Sequence, residues 1–400
     1  MRHPFTIFWP LAPDPEIDEI RFSFDFCKKV SKRFCKLAYP DALWLDYSSF
    51  ENMGPLLSRA KGDILILVRE PEVVLSPRAI EAFQYFARAG HDICGPVYNQ
   101  TAYSAQTASL PATYVDMDTF LEITEIIAET EIRNFLQTET LDPACISFRL
   151  DFLKGTDTKI DAAAVLNDPA APTSHPPIVA QGALVHSGFL KAFVSERDDL
   201  VGLVPEMDVT RVLDVGCAMG GYGKKLKQLH PDILLTGVEL NPLMAKAATL
   251  IYDEMVNVPV EAARFSTKFD LINCGDILEH LIDPWDMLKR FHGLLKEKGR
   301  LVLSIPNAGH WSVARALLKG TFQYIPLGLL CIGHLRWFTE SSIRDSLEDA
   351  GFTIEVFEKQ QTPPTPAGKA FIRHMCDAGY GNEMSLTTNE FIIRAVKKHT

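Results

Sequence analysis

The sequence predicts an α/β chain with two sheet-centred domains. Two stretches, one in each half, alternate short apolar, β-branched runs with helical stretches. One of these runs breaks into a glycine-rich turn that leads directly into a polar helix. A length of 400 residues with 47% hydrophobic content supplies apolar material for two cores.

In the front half, PFTIFWP (4–10), ALWLD (42–46), DILILV (63–68) and DICGPVY (92–98) read as strands separated by helical stretches. Their alternation predicts a small parallel sheet within a domain spanning 1–160. From about 156, TDTKIDAAAVLNDPAAPTSHPPIVAQG is rich in alanine, proline and small polar residues without a period, and we expect a linker over 161–185. The second domain, 186–400, opens with an expected lead-in helix near 186–201. No internal repeat is visible.

The most informative run is RVLDVGCAMGGYG, Arg211–Gly223, followed by KKLKQL. It reads as a strand, a tight loop and a helix start. Gly216, Gly220 and Gly221 permit backbone angles and close approach that a Cβ would forbid. About twenty residues on, the strand ILLTGVEL ends in Glu239 and Leu240, where a carboxylate can accept both hydroxyls of a ribose. A dinucleotide fingerprint needs G-x-G-x-x-G, and no frame supplies it: Ala218 takes the second place after Gly216, and Leu226 takes the third place after Gly221 and Gly223.

What the run resembles is the first motif of the class I S-adenosylmethionine (SAM) methyltransferases, an acidic residue followed by G-x-G-x-G, here Asp214, Gly216, Ala218 and Gly220. The likeness continues in order. FDLINCGDILEHL (269–281) is similar to the family's fourth-strand motif and GRLVLSIPNAGHW (299–311) to its fifth strand and exit loop. HLRWFTESSIRDSLEDAGF matches the helix before the closing hairpin TIEVFE and EFIIRAV. The resemblance implies a Rossmann-like seven-stranded sheet, SAM as cofactor, and a cofactor site at Asp214, Gly216, Cys217, Ala218, Gly220, Glu239, Leu240 and Cys274. Family members often place an acid after the third strand for the adenine amino group; here Asn257 and Pro259 stand there, which leaves adenine to the backbone or Glu261.

In the front half, WLDYSS and RAKGDILILVREPEVVLSPRAIEAF resemble the nucleotide-binding half of family 2 (GT-A) glycosyltransferases, with Asp46 at the uracil or ribose position. Glu70 and Glu72 stand where the metal-binding D-x-D belongs, and no later acidic motif offers a base. The resemblance therefore implies a smaller, degenerate domain, its two acids either altered ligands or solvated loop residues.

For methyl transfer, an acceptor lone pair must be aligned behind the methyl carbon, and a hydroxyl acceptor must lose its proton. Asp276, Glu279 and His280 follow the fourth strand at helical spacing, and we expect them on one side of a first helical turn. They read as a base with orienting partners. The same positions resemble an acidic, acidic, histidine group that holds a divalent cation in quinone O-methyltransferases, and packing alone is the remaining alternative. His310 and His334 are reserve candidates. Trp285, Trp311, Phe322, Tyr324 and Trp337 could wall an acceptor pocket or fill a core.

A net charge of −11, with no basic block to offset it, argues against a nucleic-acid acceptor. The eight cysteines form no C-x-x-C pair, so neither a zinc site nor a disulfide framework is indicated. The first twenty residues read as too short and too interrupted for a signal peptide, and a cytoplasmic location is expected. No run reaches the ~18 apolar residues of a membrane span. YIPLGLLCIG (324–333) comes nearest and reads as a lid or a peripheral contact with lipid. The expected activity is methylation of a sugar or glycan hydroxyl, with a small phenolic or quinone-type acceptor, or a non-catalytic SAM- or glycan-binding scaffold, as alternatives. Oligomeric state stays open.

Overall fold

The computed structural model describes residues 4–11, 18–49, 53–111, 114–154, 176–205 and 209–398. The chain divides after Phe189 into two units, each built on a seven-stranded sheet.

In the first unit the strands are β1 (Thr6–Pro10), β2 (Leu43–Tyr47), β3 (Ile64–Val68), β4 (Ile93–Tyr98), β5 (Phe135–Gln137), β6 (Cys145–Arg149) and β7 (Ile178–Val185). Their order is β2-β1-β3-β6-β4-β7-β5. The four strands expected from the sequence are present, and every residue of β3 and β4 is buried, as two-sided coverage by helices requires. The helix Pro77–Arg88 starts where Ser76 accepts the N–H of Ala79 and proline occupies the first turn. Asp116 caps Met117–Glu131 in the same manner.

Two expectations for this unit are corrected. The sheet is mixed, because β6 runs antiparallel between β3 and β4, and β5 runs antiparallel to β7. Residues 178–185, assigned to the linker, form a strand parallel to β4. The prolines at 176 and 177 hid an apolar run, IVAQGALV, that only a sheet neighbour makes legible. Residues 161–175 of that linker, with 155–160 before it, lie outside the described residues.

The second unit contains β8 (Arg211–Val215), β9 (Leu234–Val238), β10 (Glu254–Val256), β11 (Phe269–Gly275), β12 (Leu295–Pro306), β13 (Phe352–Gln361) and β14 (Thr388–Lys397). Their order is β10-β9-β8-β11-β12-β14-β13, the first five parallel and β14 antiparallel to both of its neighbours. Alternate residues of the central strands feed two cores. Leu213, Ile272, Leu301 and Leu303 pack on one face, and Val212, Leu271, Val302 and Ile392 on the other. The expected lead-in helix is shorter than predicted, a 3-10 stretch at Phe189–Val194 followed by one turn at Asp198–Val201. Strand order reverses on either side of β8, so a crevice opens beyond the carboxyl ends of β8, β9 and β11. Among the described residues, no helix is long and apolar enough to cross a membrane.

Candidate active site

The turn after β8 is held in a left-handed zigzag. Gly216, Ala218 and Gly220 have φ of 71°, 47° and 89°, so all three small-residue positions of the motif use the region that favours glycine. Ala218 accepts the same conformation with a Cβ, which costs about 1–2 kcal/mol. A Cβ on Gly216 would stand 2.0 Å from Ile277 Cδ1, and one on Gly221 would stand 2.1 Å from the Ser195 carbonyl oxygen. The loop is thus clasped between the β11 turn and the lead-in segment.

Glu239 follows the tip of β9 and faces this loop. Its Oε2 accepts the Ala218 N–H at 2.9 Å and its Oε1 the Asn241 N–H at 2.8 Å, which fixes the carboxylate beside the glycine turn. Asn257 donates to the Glu239 and Leu240 carbonyls at 2.7 and 3.0 Å. It therefore braces the backbone, while Glu261 is exposed. The Leu240 side chain is 65% exposed and Met219 is 42% exposed, which puts apolar surface at the crevice edge. A left-handed cradle that side chains would fill, a fixed carboxylate and open apolar side chains beside it fit an adenosine-type ligand.

Asp214 has a different task from the one its motif suggests. It is buried, accepting from Tyr252 Oη and from Asn273 Nδ2, the latter at 2.7 Å. Tyr252 Oη in turn accepts the Gly223 N–H at 3.1 Å. The chain Asn273–Asp214–Tyr252–Gly223 ties the loop to β11 and to the helix Gly221–Leu229. Burial pushes the Asp214 carboxyl up to about 6, although both donors pull it down. Cys217 and Cys274 are buried, and desolvation raises both thiols, so each serves as a small apolar side chain. Cys274 lies in the core, which leaves only its backbone for the crevice.

Asp276, Glu279 and His280 do not share a helical face, which corrects the sequence expectation. Asp276 is left-handed (φ 53°), and only a single 3-10 turn, Leu278–His280, follows it. Asp276 turns towards Arg197, whose guanidinium bonds Asp276 at 2.6 Å, Asp199 at 2.9 Å and Glu390 at 3.2 Å. Ser304 Oγ donates to Asp276 Oδ1 at 2.8 Å. Burial would raise the Asp276 carboxyl, but Arg197 and the hydrogen bonds hold it below the usual range. Glu390 shifts the other way, raised by burial and by the charge of Asp276. Glu279 points inward, with burial and Asp276 lifting its carboxyl far above normal, and neither oxygen has a hydrogen-bond partner among the described residues. His280 is exposed, its ring edge-on to His334 at 4.9 Å.

Of the reserve candidates, His310 is buried and caps the helix Trp311–Leu318 through Nδ1, and burial depresses its imidazole to about 3. His334 is depressed to about 4 by burial and by the neighbouring His280. Trp311 is buried in a small core with Ile372 and Leu386. Phe322, Tyr324 and Trp337 form an exposed aromatic group beside His334, with ring centres 5.2–5.8 Å apart. The apolar stretch 324–333 turns Ile325, Leu329 and Leu330 into its own domain. Sequence reasoning missed Arg197, Tyr252, Asn273, Ser304 and Glu390. Asn273, Ser304 and Glu390 lie within the motif runs FDLINCGDILEHL, GRLVLSIPNAGHW and EFIIRAV, whereas Arg197 and Tyr252 lie outside any such run.

In the front unit, Glu70 is exposed, whereas Glu72 is buried and accepts from Ser23 Oγ at 2.8 Å. The two acids therefore stand in different surroundings and not as a matched pair of solvated loop acids. Asp46 is bonded by Lys28 at 2.8 Å.

Residues 183–356 match the family model described as a methyltransferase domain. The ubiquinone biosynthesis O-methyltransferase of Xanthomonas oryzae pv. oryzae is 31% identical over 150 residues, which cover 33% of this chain and 59% of that protein. The chain thus spans little more than half the length of this curated relative. A SAM-dependent methyltransferase structure from Mesorhizobium loti aligns with TM-score 0.35 and 18% identity, covering 50% of this chain and 97% of that one. The plantazolicin methyltransferase BpumL in complex with SAH aligns with TM-score 0.37 and 13% identity, covering 53% and 85%. These two likenesses carry no functional argument. The C-terminal half of the chain contains a class I SAM-dependent methyltransferase domain.

Proposed function

We propose that the protein transfers a methyl group from SAM to a hydroxyl oxygen. The observation that carries this reading is the left-handed Gly216–Gly220 loop facing Glu239 at the strand-order reversal. In this reading residues 216–221 cradle the cofactor, Asp214 holds that loop in place from beneath, Glu239 accepts the ribose hydroxyls, and Leu240 and Met219 supply apolar contact. When bound, SAM supplies a methyl group already activated by the sulfonium. The protein's work is then alignment and removal of the acceptor's proton. Asp276 is committed to Arg197 and Glu279 is buried, so His280 is the group on this edge that meets an acceptor, acting alone or as the ligand of a cation.

The acceptor in this proposal is a hydroxyl of a sugar or glycan, and the support is the α/β front unit, whose resemblance to a sugar-nucleotide-binding domain motivates it. That unit is proposed to be degenerate, because the buried Glu72 is engaged by Ser23. A second reading, a phenolic or quinone-type acceptor, is favoured by the name of the curated relative and by the exposed Phe322, Tyr324 and Trp337. Calorimetry with SAM and S-adenosylhomocysteine tests the cofactor assignment. Turnover of labelled SAM against paired panels of glycans and catechols tests the acceptor. Absence of SAM affinity overturns the reading, and labelling confined to catechols transfers it to the second acceptor class.

A further inference from the structure

The segment 325–338 folds back on the turn after β11 in a way that methyl transfer alone does not explain. Leu335 and Arg336 donate their N–H groups to the Glu279 carbonyl at 2.8 and 3.0 Å, so the two stretches are joined through their backbones. Within the segment, Ile325 and Cys331 form a bridge, Cys331 N–H donates to Gly328 O at 3.0 Å, and His334 N–H donates to Cys331 O at 3.1 Å. Cys331 and His334 thereby sit at the two ends of one tight turn, Cys-Ile-Gly-His. The side chains of His280, Cys331 and His334 converge, with their ligating atoms all within 4.8 Å of one another.

Two further observations point into the same space. Glu279 is buried, both its carboxylate oxygens lack a hydrogen-bond partner among the described residues, and Oε1 lies 3.9 Å from His334 Nε2. Gly333 leaves room for the His280 ring, since a Cβ there would stand 2.8 Å from His280 Nδ1. A buried carboxylate without a donor is costly, and a cation beside it removes the cost.

We propose that His280, Cys331 and His334, with Glu279 as the fourth donor, bind a zinc-class divalent cation. Two imidazoles, a thiolate and a carboxylate suit a borderline-soft ion in tetrahedral geometry, with bonds of about 2.0–2.3 Å, so the three clustered donors close in by roughly an ångström on binding and Glu279 turns in from beside His334. The Cys331 thiol gives its proton to solvent when the bond to the metal forms. With four protein donors the site is closed, and the cation fixes segment 325–334, next to the aromatic group Phe322–Tyr324–Trp337, against the β11 turn. Held by the metal, His280 is then a positioning residue that fixes this segment at the acceptor edge. The proposal deepens the reading of that edge and rests on it for the role of His280, while metal binding itself needs neither SAM nor an acceptor.

The test uses the full-length protein, stripped with a chelator and titrated with Co²⁺ as a spectroscopic substitute. The expected result is one Co²⁺ per chain, tetrahedral d–d absorption, and a thiolate-to-cobalt charge-transfer band that Zn²⁺ abolishes. Cys331→Ser should lose the charge-transfer band while keeping its far-UV spectrum and its calorimetric affinity for SAM. His334→Gln and Glu279→Gln should each weaken binding by roughly tenfold or more. No tetrahedral cobalt spectrum at equimolar metal overturns the proposal, as does a charge-transfer band that survives Cys331→Ser. Undiminished binding in Glu279→Gln overturns the fourth ligand. Because SAM affinity is read separately, failure of the metal site and failure of the methyltransferase reading are distinguishable.

Discussion

Gly216→Val probes the cofactor loop at its tightest point. At φ 71°, a side chain costs about 1–2 kcal/mol for the left-handed backbone alone, and β-branching adds to it. The new Cβ would meet Ile277 Cδ1 at 2.0 Å, roughly half an ordinary van der Waals contact, so the isoleucine must leave its rotamer or the loop must move. Overpacking of this kind costs about 1–3 kcal/mol, for a total of about 2–5 kcal/mol. With a factor of ten for every ~1.4 kcal/mol, a loop that relieves the strain by abandoning its conformation loses roughly 30-fold to a few thousand-fold in SAM affinity. Calorimetry of SAM binding measures that loss, and far-UV dichroism confirms that the sheet persists. Truncating the obstacle supplies the internal control: Gly216→Ala combined with Ile277→Ala should bind more tightly than Gly216→Ala alone. Unchanged affinity in Gly216→Val would remove the loop from the binding site. Equal losses with and without Ile277 would show that the contact is not the cause.

Three further outcomes follow from the same geometry. His280→Ala should keep SAM affinity within a few-fold and lower turnover by roughly 10², because the residue serves the acceptor side; collapse of SAM affinity would place it with the cofactor. The buried imidazole of His310 is depressed from 6.5 to about 3, so it resists a proton that the unfolded chain takes up. Its contribution to stability is complete above pH 6.5 and drains away as pH falls towards 3, a loss on the order of 3 kcal/mol by pH 4. His310→Asn keeps a capping acceptor without the titration, so its urea midpoint should fall less than the wild type's between pH 7 and pH 4; parallel curves would contradict the assignment. The full chain should release no nucleotide from sugar nucleotides with manganese in an acceptor-dependent manner, and robust turnover would show Glu70 and Glu72 to be competent ligands.

The methyltransferase half was legible because its signals are local. A strand, a turn that needs positive φ and an acid at the next strand's end lie within thirty residues, and the structure keeps them together at Gly216, Gly220 and Glu239. What escaped was long-range. Arg197 reaches Asp276 and Glu390 across separations of 79 and 193 residues, and nothing near Arg197 announces either partner. The helical spacing of Asp276, Glu279 and His280 misled, since the left-handed Asp276 breaks the period and sends Glu279 inward while His280 stays outside. In the front half, Cys145–Arg149 and Ile178–Val185 were passed over because a short strand beside a proline-rich stretch is identified by its neighbours more than by its own pattern. Cys331 and His334 form a C-x-x-H turn, which the absence of any C-x-x-C pair leaves unannounced.

The position of β14 has a bearing on biosynthesis. Of the seven strands in this sheet, β14 follows all the others in the sequence, yet it is an interior one, inserted between β12 and β13 and paired with both. Until residue 397 has emerged, β12 presents an open, apolar strand edge, and β13 has no place in the sheet. Such edges recruit other nascent chains, so this half is exposed to mispairing for longer than a domain whose final strand adds at the rim. A shortened chain ending at 356, where the family match stops, would make that transient state permanent. Loss of even the final ten residues should therefore yield insoluble protein and not a weakened enzyme.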